Sequence, residues 1–180
     1  MSLDKTRWEN VDQMLTRTER TKDESRVKAT QEIARLRFTF PTTEHPAYRS
    51  HVNVPAVSMA VQVGSEEVVP DIVVVEKLKT GETHLKMTAV VAIVEQVTEE
   101  EGRARWARIA SIPDQAFYLY VPVGFGAEAK RICKRLKIRP EGYRTWRHTP
   151  RGFEINDVSE PSSALAALMP GFVRRTLATP

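Results

Sequence analysis

The stretch from Val68 to Val97 limits what this chain can fold into more than any other. Two runs rich in Val, Ile and Ala, one beginning Asp-Ile-Val-Val-Val and one beginning Ala-Val-Val-Ala-Ile-Val, flank a polar turn that contains Gly81. β-Branched runs bounded by turn residues read as strands, and as strands buried on both faces. The connection is too short for a crossover helix, so the pair is expected to form an antiparallel hairpin. Each strand carries a carboxylate at the end away from the turn, Asp71 at the start of the first and Glu95 at the finish of the second. A turn centred near Thr83 would pair Asp71 with Glu95 on one face of the sheet, and a one-residue slip would separate them. Two acids at the rim of an apolar hairpin are costly to desolvate unless paired, hydrogen-bonded or bound to a metal. That cost makes them the candidate site.

The chain has 180 residues, enough for one domain with a real core and peripheral segments. The organisation expected is an N-terminal helical segment over 1–40, an α/β core over 41–158 and a C-terminal tail over 159–180. No apolar run reaches membrane-spanning length, and the start, Met-Ser-Leu-Asp-Lys, lacks the apolar core of a signal peptide. With Cys133 the only cysteine, no internal disulfide can form, which points to a reducing, cytoplasmic setting. Cys133 reads as a packed core cysteine rather than a nucleophile, because no base is identifiable near it. The formal net charge of +4 permits contact with nucleic acid without demanding it.

Along the N-terminal segment, Trp8, Val11 and Leu15 form one apolar stripe at helical spacing, and Ala29, Ile33, Leu36 and Phe40 form another. A polar break near Thr21 to Asp23 divides them into two helices expected to dock on the sheet or to support self-association. Glu32 flanks the second stripe, within reach of the acidic site or on a solvated face. Pro41 to Pro55 reads as a loop, and His45 and His51 within it read as surface residues rather than zinc ligands. Val57 to Val63 alternates like a strand and would complete a three-strand antiparallel meander with the hairpin.

After Val97 the pattern changes to a helix. Thr98 with Glu101 has capping-box spacing, the acids Glu99 to Glu101 suit the positive end of the helix dipole, and Trp106 and Ile109 are expected to face the sheet. Ala116 to Val123 is a second kind of buried strand. The strand–helix–strand order makes it a parallel neighbour of the hairpin, reached by a right-handed crossover. A helix over 127–137 and two short strands, near Gly142 to Thr149 and Phe153 to Val158, complete the core. Gly124-Phe125-Gly126 lacks the third glycine of a phosphate-binding fingerprint. Ala164 to Met169 would make one apolar turn in the tail.

With Pro70-Asp71 before one apolar strand, Glu95 late on the next, and a helix and a Phe-Tyr-Leu-Tyr-Val-Pro strand after it, the sequence resembles the PD-(D/E)XK nuclease superfamily. The similarity runs over about residues 24–149 and is strongest to the superfamily's bacterial Uma2-like branch. The resemblance implies a restriction endonuclease-like core, a mixed β-sheet flanked by helices. It implies that Asp71 and Glu95 are catalytic and hold Mg2+ or Mn2+, with the backbone carbonyl of Gln96 as a further ligand, and that the chemistry is hydrolysis of DNA phosphodiesters. Arg103, Arg105, Lys130 and Arg131 would hold the nucleic-acid backbone without reading bases. One departure stands out. The family's lysine falls two residues after the second acid, and here that position is Val97. Lys77 and Lys86 lie too far along the strands to replace it, whereas Arg103 or Arg105 are within reach. The alternative is a catalytically degenerate domain of the same fold that serves as a binding or oligomerisation module, with a homodimer formed through the N-terminal helices or an aromatic edge around Tyr143 and Trp146.

Overall fold

The computed structural model describes residues 22–158. The stripe of Trp8, Val11 and Leu15 and the tail over 159–180 lie outside the described residues.

Helix α1 spans residues 22–37. It buries Ala29, Ile33 and Ala34, and Phe38 follows directly behind them, while Leu36 is exposed. The stripe is thus turned from the one expected. The helix stops before Phe40, and Phe38 N–H closes its last turn on Ala34 O (2.9 Å), so the inward face is the one that Phe38 continues. Strand β1, Tyr48–Val52, follows in the segment expected to be a loop. Its residues run antiparallel to β4, Ile72–Lys77, with Val52 opposite Ile72. Val61–Val63 (β2) pairs only with Glu66–Val68 (β3), as a separate two-stranded ribbon. The expected meander is therefore not formed: the Val57 to Val63 run stays out of the main sheet, and β1 takes the place beside β4 that it was expected to fill.

β4 turns into β5, Thr83–Val91, through a hairpin whose turn lies earlier in the chain than the expected centre near Thr83. Leu78 N–H donates to Glu82 O and Gly81 N–H to Leu78 O, and Gly81 sits at φ +89°, where a side chain would be strained. Lys77 faces Thr83, and a bulge between Val74 and Val75 shifts the register further on. After β5 come a 3-10 turn, Val94–Gln96, and helix α2, in which Glu99–Glu101 and Ala107–Ala110 bracket a π-helical stretch, Gly102–Trp106. Thr98 caps α2 by accepting from Glu101 N–H (3.2 Å). Strand β6, Ala116–Pro122, lies parallel to β5 as the crossover rule required. Helix α3, Gly126–Arg135, leads to β7, Gly142–Thr149, also parallel, and β8, Gly152–Asp157, closes the sheet antiparallel. The result is an α/β fold around a six-stranded mixed sheet in the order β1-β4-β5-β6-β7-β8.

Alternation along the strands sends side chains into two cores. Val90, Leu119 and Val121 meet Trp106 and Ile109 of α2 and Ile132 and Cys133 of α3 on one face. Ile72, Val74, Ala89, Val91 and Tyr120 meet α1 on the other. Gly102 lets α2 and α3 come together, since a Cβ there would lie 2.7 Å from Ile132 Cγ2. Trp106 and Ile109 are buried, as their spacing predicted. The aromatic edge expected around Tyr143 and Trp146 is not an edge: β7 lies inside the sheet and Trp146 is buried beneath α1. Among the described residues no helix is long and apolar enough to cross a membrane.

Candidate functional site

Asp71 enters the sheet just before β4 and is 1% exposed. A carboxylate so deeply buried must find partners for both oxygens. Arg26 Nη1, from α1, donates to Oδ1 at 2.6 Å, and Arg105 Nη2, from α2, lies 3.0 Å from the same oxygen. Val91 N–H, from the end of β5, donates to Oδ2 at 2.8 Å. Helices from the two faces of the sheet thus meet one carboxylate at its rim. Arg105 also donates to Val69 O (3.3 Å) and lies 3.7 Å from Glu101, and Arg26 reaches Asp23 at 3.4 Å.

The register explains why Glu95 is elsewhere. Asp71 N–H donates to Ala89 O (3.0 Å), so the strand opposite Asp71 is the apolar Ala89–Val91 stretch. The expected pairing needed a turn near Thr83, and the turn closes over 78–82 instead. Glu95 falls beyond the end of β5, in the 3-10 turn, half exposed and 3.1 Å from Lys22 Nζ of α1. A hydrogen bond from its own backbone and the Lys22 ammonium together lower its pKa below the ordinary 4.5. Gln96 folds back on the same turn, its Oε1 accepting from Ile93 N–H (3.2 Å). Val97, where the resemblance would place a lysine, is buried in the α2–α3 core.

The four candidate phosphate contacts all have partners within the chain. Arg103 pairs with Glu99, Arg105 with Asp71, Arg131 with Glu128 (2.5 Å), and Lys130 Nζ donates to Val158 O. Glu32 pairs with Arg35 (2.7 Å). Burial pushes the Cys133 thiol up to about 11, outweighing its hydrogen bond with Tyr143, so it is not a thiolate near neutrality.

As a metal site the donor set does not fit. Both Asp71 oxygens are engaged, and a cation there would face two guanidiniums within hydrogen-bond distance of the oxygen it needs. No group of three or more His, Cys, Asp or Glu among the described residues is placed to hold a metal ion.

Beside Glu95 the surface hollows into a pocket of about 300 Å3, lined by Lys22, Ser25, Ile93, Val94, Glu95, Pro122 and Trp146. It opens at the carboxyl ends of the parallel strands β5 and β6, where α/β sheets commonly receive ligands. Trp146 is fixed by Nε1–H donating to Ala92 O (3.2 Å). Sequence reasoning missed both Arg26 and Lys22. The signal for Arg26 was present: it lies on the same helical face as Ala29 and Ile33, a cation inside an apolar stripe. Comparison of the chain with protein-family models, with curated proteins and with solved structures found no match.

Proposed function

We propose that this chain is a ligand-binding domain on a restriction endonuclease-like core, in which the carboxylate that resembles a catalytic aspartate has become a structural anchor. The observation that carries this reading is the engagement of both oxygens of the buried Asp71 by Arg26, Arg105 and the Val91 amide. Three adjacent antiparallel strands, β1, β4 and β5, followed by helix-linked parallel strands support the core, because the resemblance implies a mixed sheet of that kind flanked by helices. The apolar residues opposite Asp71 and the buried Val97 supply neither a second metal-binding acid nor a basic group on the strand. The pocket at Glu95 stays open to a ligand.

Metal-dependent cleavage of DNA is the second reading. One contact favours it: Lys22 beside Glu95 brings an ammonium to a carboxylate near the sheet's carboxyl end. Incubating the full chain with supercoiled plasmid and single-stranded DNA in Mg2+ or Mn2+, beside the Glu95→Ala protein, separates the two. The binding-domain reading expects no cleavage by either protein. Metal-stimulated cleavage by the wild type that Glu95→Ala abolishes would replace it with the nuclease.

A further inference from the structure

The pocket at Glu95 has a chemistry of its own. Ile93, Val94, Pro122 and Trp146 give it an apolar interior. Its volume of about 300 Å3 is at the small end of the range for ligand sites, roughly 300–1,000 Å3. Val94 is 49% exposed, an apolar side chain left uncovered at the pocket. At the same rim a cation and an anion stand side by side, Lys22 Nζ 3.1 Å from Glu95, and each is about half exposed. An ion pair this accessible holds its partners weakly, so exchanging it for other charges costs little. The hydroxyl of Ser25 adds a neutral donor and acceptor to the lining.

We infer that this pocket binds a small amphipathic zwitterion, a free α-amino acid with a branched or aromatic side chain, whose ammonium meets Glu95 and whose carboxylate meets Lys22. The neighbouring charges of an amino acid match the neighbouring charges of the rim in opposite order, so all four form alternating contacts. The side chain then covers Val94 and lies against Trp146. An anion alone would gain Lys22 and face Glu95, and a cation alone would do the reverse. Among charged ligands, one carrying both charges is the kind that meets each member of the pair with an opposite charge. This inference rests on the binding-domain reading and names its ligand class.

The test uses the full chain and the indole N–H signal of Trp146, assigned by its loss in Trp146→Phe. Titration with L-phenylalanine and L-leucine is expected to shift that signal saturably. N-acetyl-L-phenylalanine, which lacks the ammonium, and L-phenylalaninamide, which lacks the carboxylate, are expected to bind more weakly by about tenfold each, the scale of one charge-assisted hydrogen bond. Glu95→Gln should remove the preference for the free amine, and Lys22→Met the preference for the free carboxylate, with both variants still folded and cooperative in thermal unfolding. Equal shifts from the blocked and free ligands would overturn the zwitterion. So would the absence of any saturable shift, including the case in which the pocket is filled by a second copy of the chain, seen as concentration-dependent sedimentation that Val94→Glu abolishes. Failure here without DNA cleavage removes this ligand class and leaves the binding domain standing, whereas cleavage in Mg2+ removes the binding domain itself.

Discussion

Asp71 and Glu95 are the same kind of group at the same end of the same sheet, and they live in opposite circumstances. Asp71 is sealed in, with two arginines and an amide on its oxygens. Glu95 stands half in solvent with one lysine. The first arrangement engages both carboxylate oxygens inside the protein and closes them off from solvent, so it contributes to the fold and is not accessible to a ligand. The second contributes little to the fold because water competes for both charges, and for that reason it stays available. A carboxylate's proximity to a sheet's carboxyl end is therefore a poor guide to its role. Its remaining unsatisfied valence is a better one.

The sharpest way to break this comparison is to remove the Asp71 carboxylate. Asp71→Ala leaves two guanidiniums and an amide without their acceptor, and is expected to cost about 3–5 kcal/mol in urea unfolding. Asp71→Asn keeps one acceptor oxygen and should cost less, about 1–3 kcal/mol. A mixture of like charges at the site would instead make Asp71→Asn neutral or stabilising, but the charged groups around Asp71 are arginines, so the sign is reversed. An unchanged midpoint in Asp71→Asn would refute the anchor.

Arg26→Met and Arg105→Met each leave Asp71 with two of its three partners and are expected to cost about 1–3 kcal/mol. Combined with Asp71→Asn in double-mutant cycles, each should show a coupling of about 0.5–3 kcal/mol. Strictly additive costs would mean that the arginines pack without engaging the carboxylate. At the other pole, Lys22→Met and Glu95→Gln should change stability by about 1 kcal/mol or less, and by less again in high salt.

The smallest effect is in acid. The pKa of Glu95 is lowered in the folded chain by its backbone hydrogen bond and by Lys22, and that of Glu99 by Arg103 and Arg135. Near pH 4.5 the unfolded chain therefore binds more protons than the folded one, so stability rises with pH there. The contribution is complete above the ordinary carboxylate value and is lost as pH falls through the lowered folded values. In Glu95→Gln the acid limb of the stability profile should be slightly shallower than in the wild type. An identical limb would show that Glu95 is not held in its turn.

Much of the fold was legible because burial is written in strong patterns. The runs at Ile72–Val75, Ala89–Val91 and Phe117–Val121 are apolar on successive residues, and only strands covered on both faces use such runs. Thr98 and Glu101 announced α2, and its Trp106 and Ile109 announced the inward face. β1 was not legible: Tyr48–Val52 has prolines on both sides and its outward residues are polar, as an edge strand tolerates. The site was half legible. Asp71 stood out because an acid before an apolar strand needs an explanation, but the explanation depended on a register. The hairpin turn is set by Gly81, and the bulge at Val74/Val75 displaces the pairing again, neither of which the alternation of side chains reveals. A shift of a few residues moved Glu95 off the strand and put Val91's amide where a second acid was expected.

The Asp71 cluster joins residues 26, 71, 91 and 105, and no two of its contacts are local in sequence. It can be completed only after α1, the central hairpin and α2 have all arrived at one rim. Contacts of that kind are expected to form late when the transition state is organised by nearer partners. Asp71→Asn should therefore accelerate unfolding while leaving the refolding rate almost unchanged, a low φ-value in a chevron experiment. A low φ-value there would make the buried carboxylate a latch that closes late and sets how long the native state endures, and a φ-value near one would make it part of the folding nucleus.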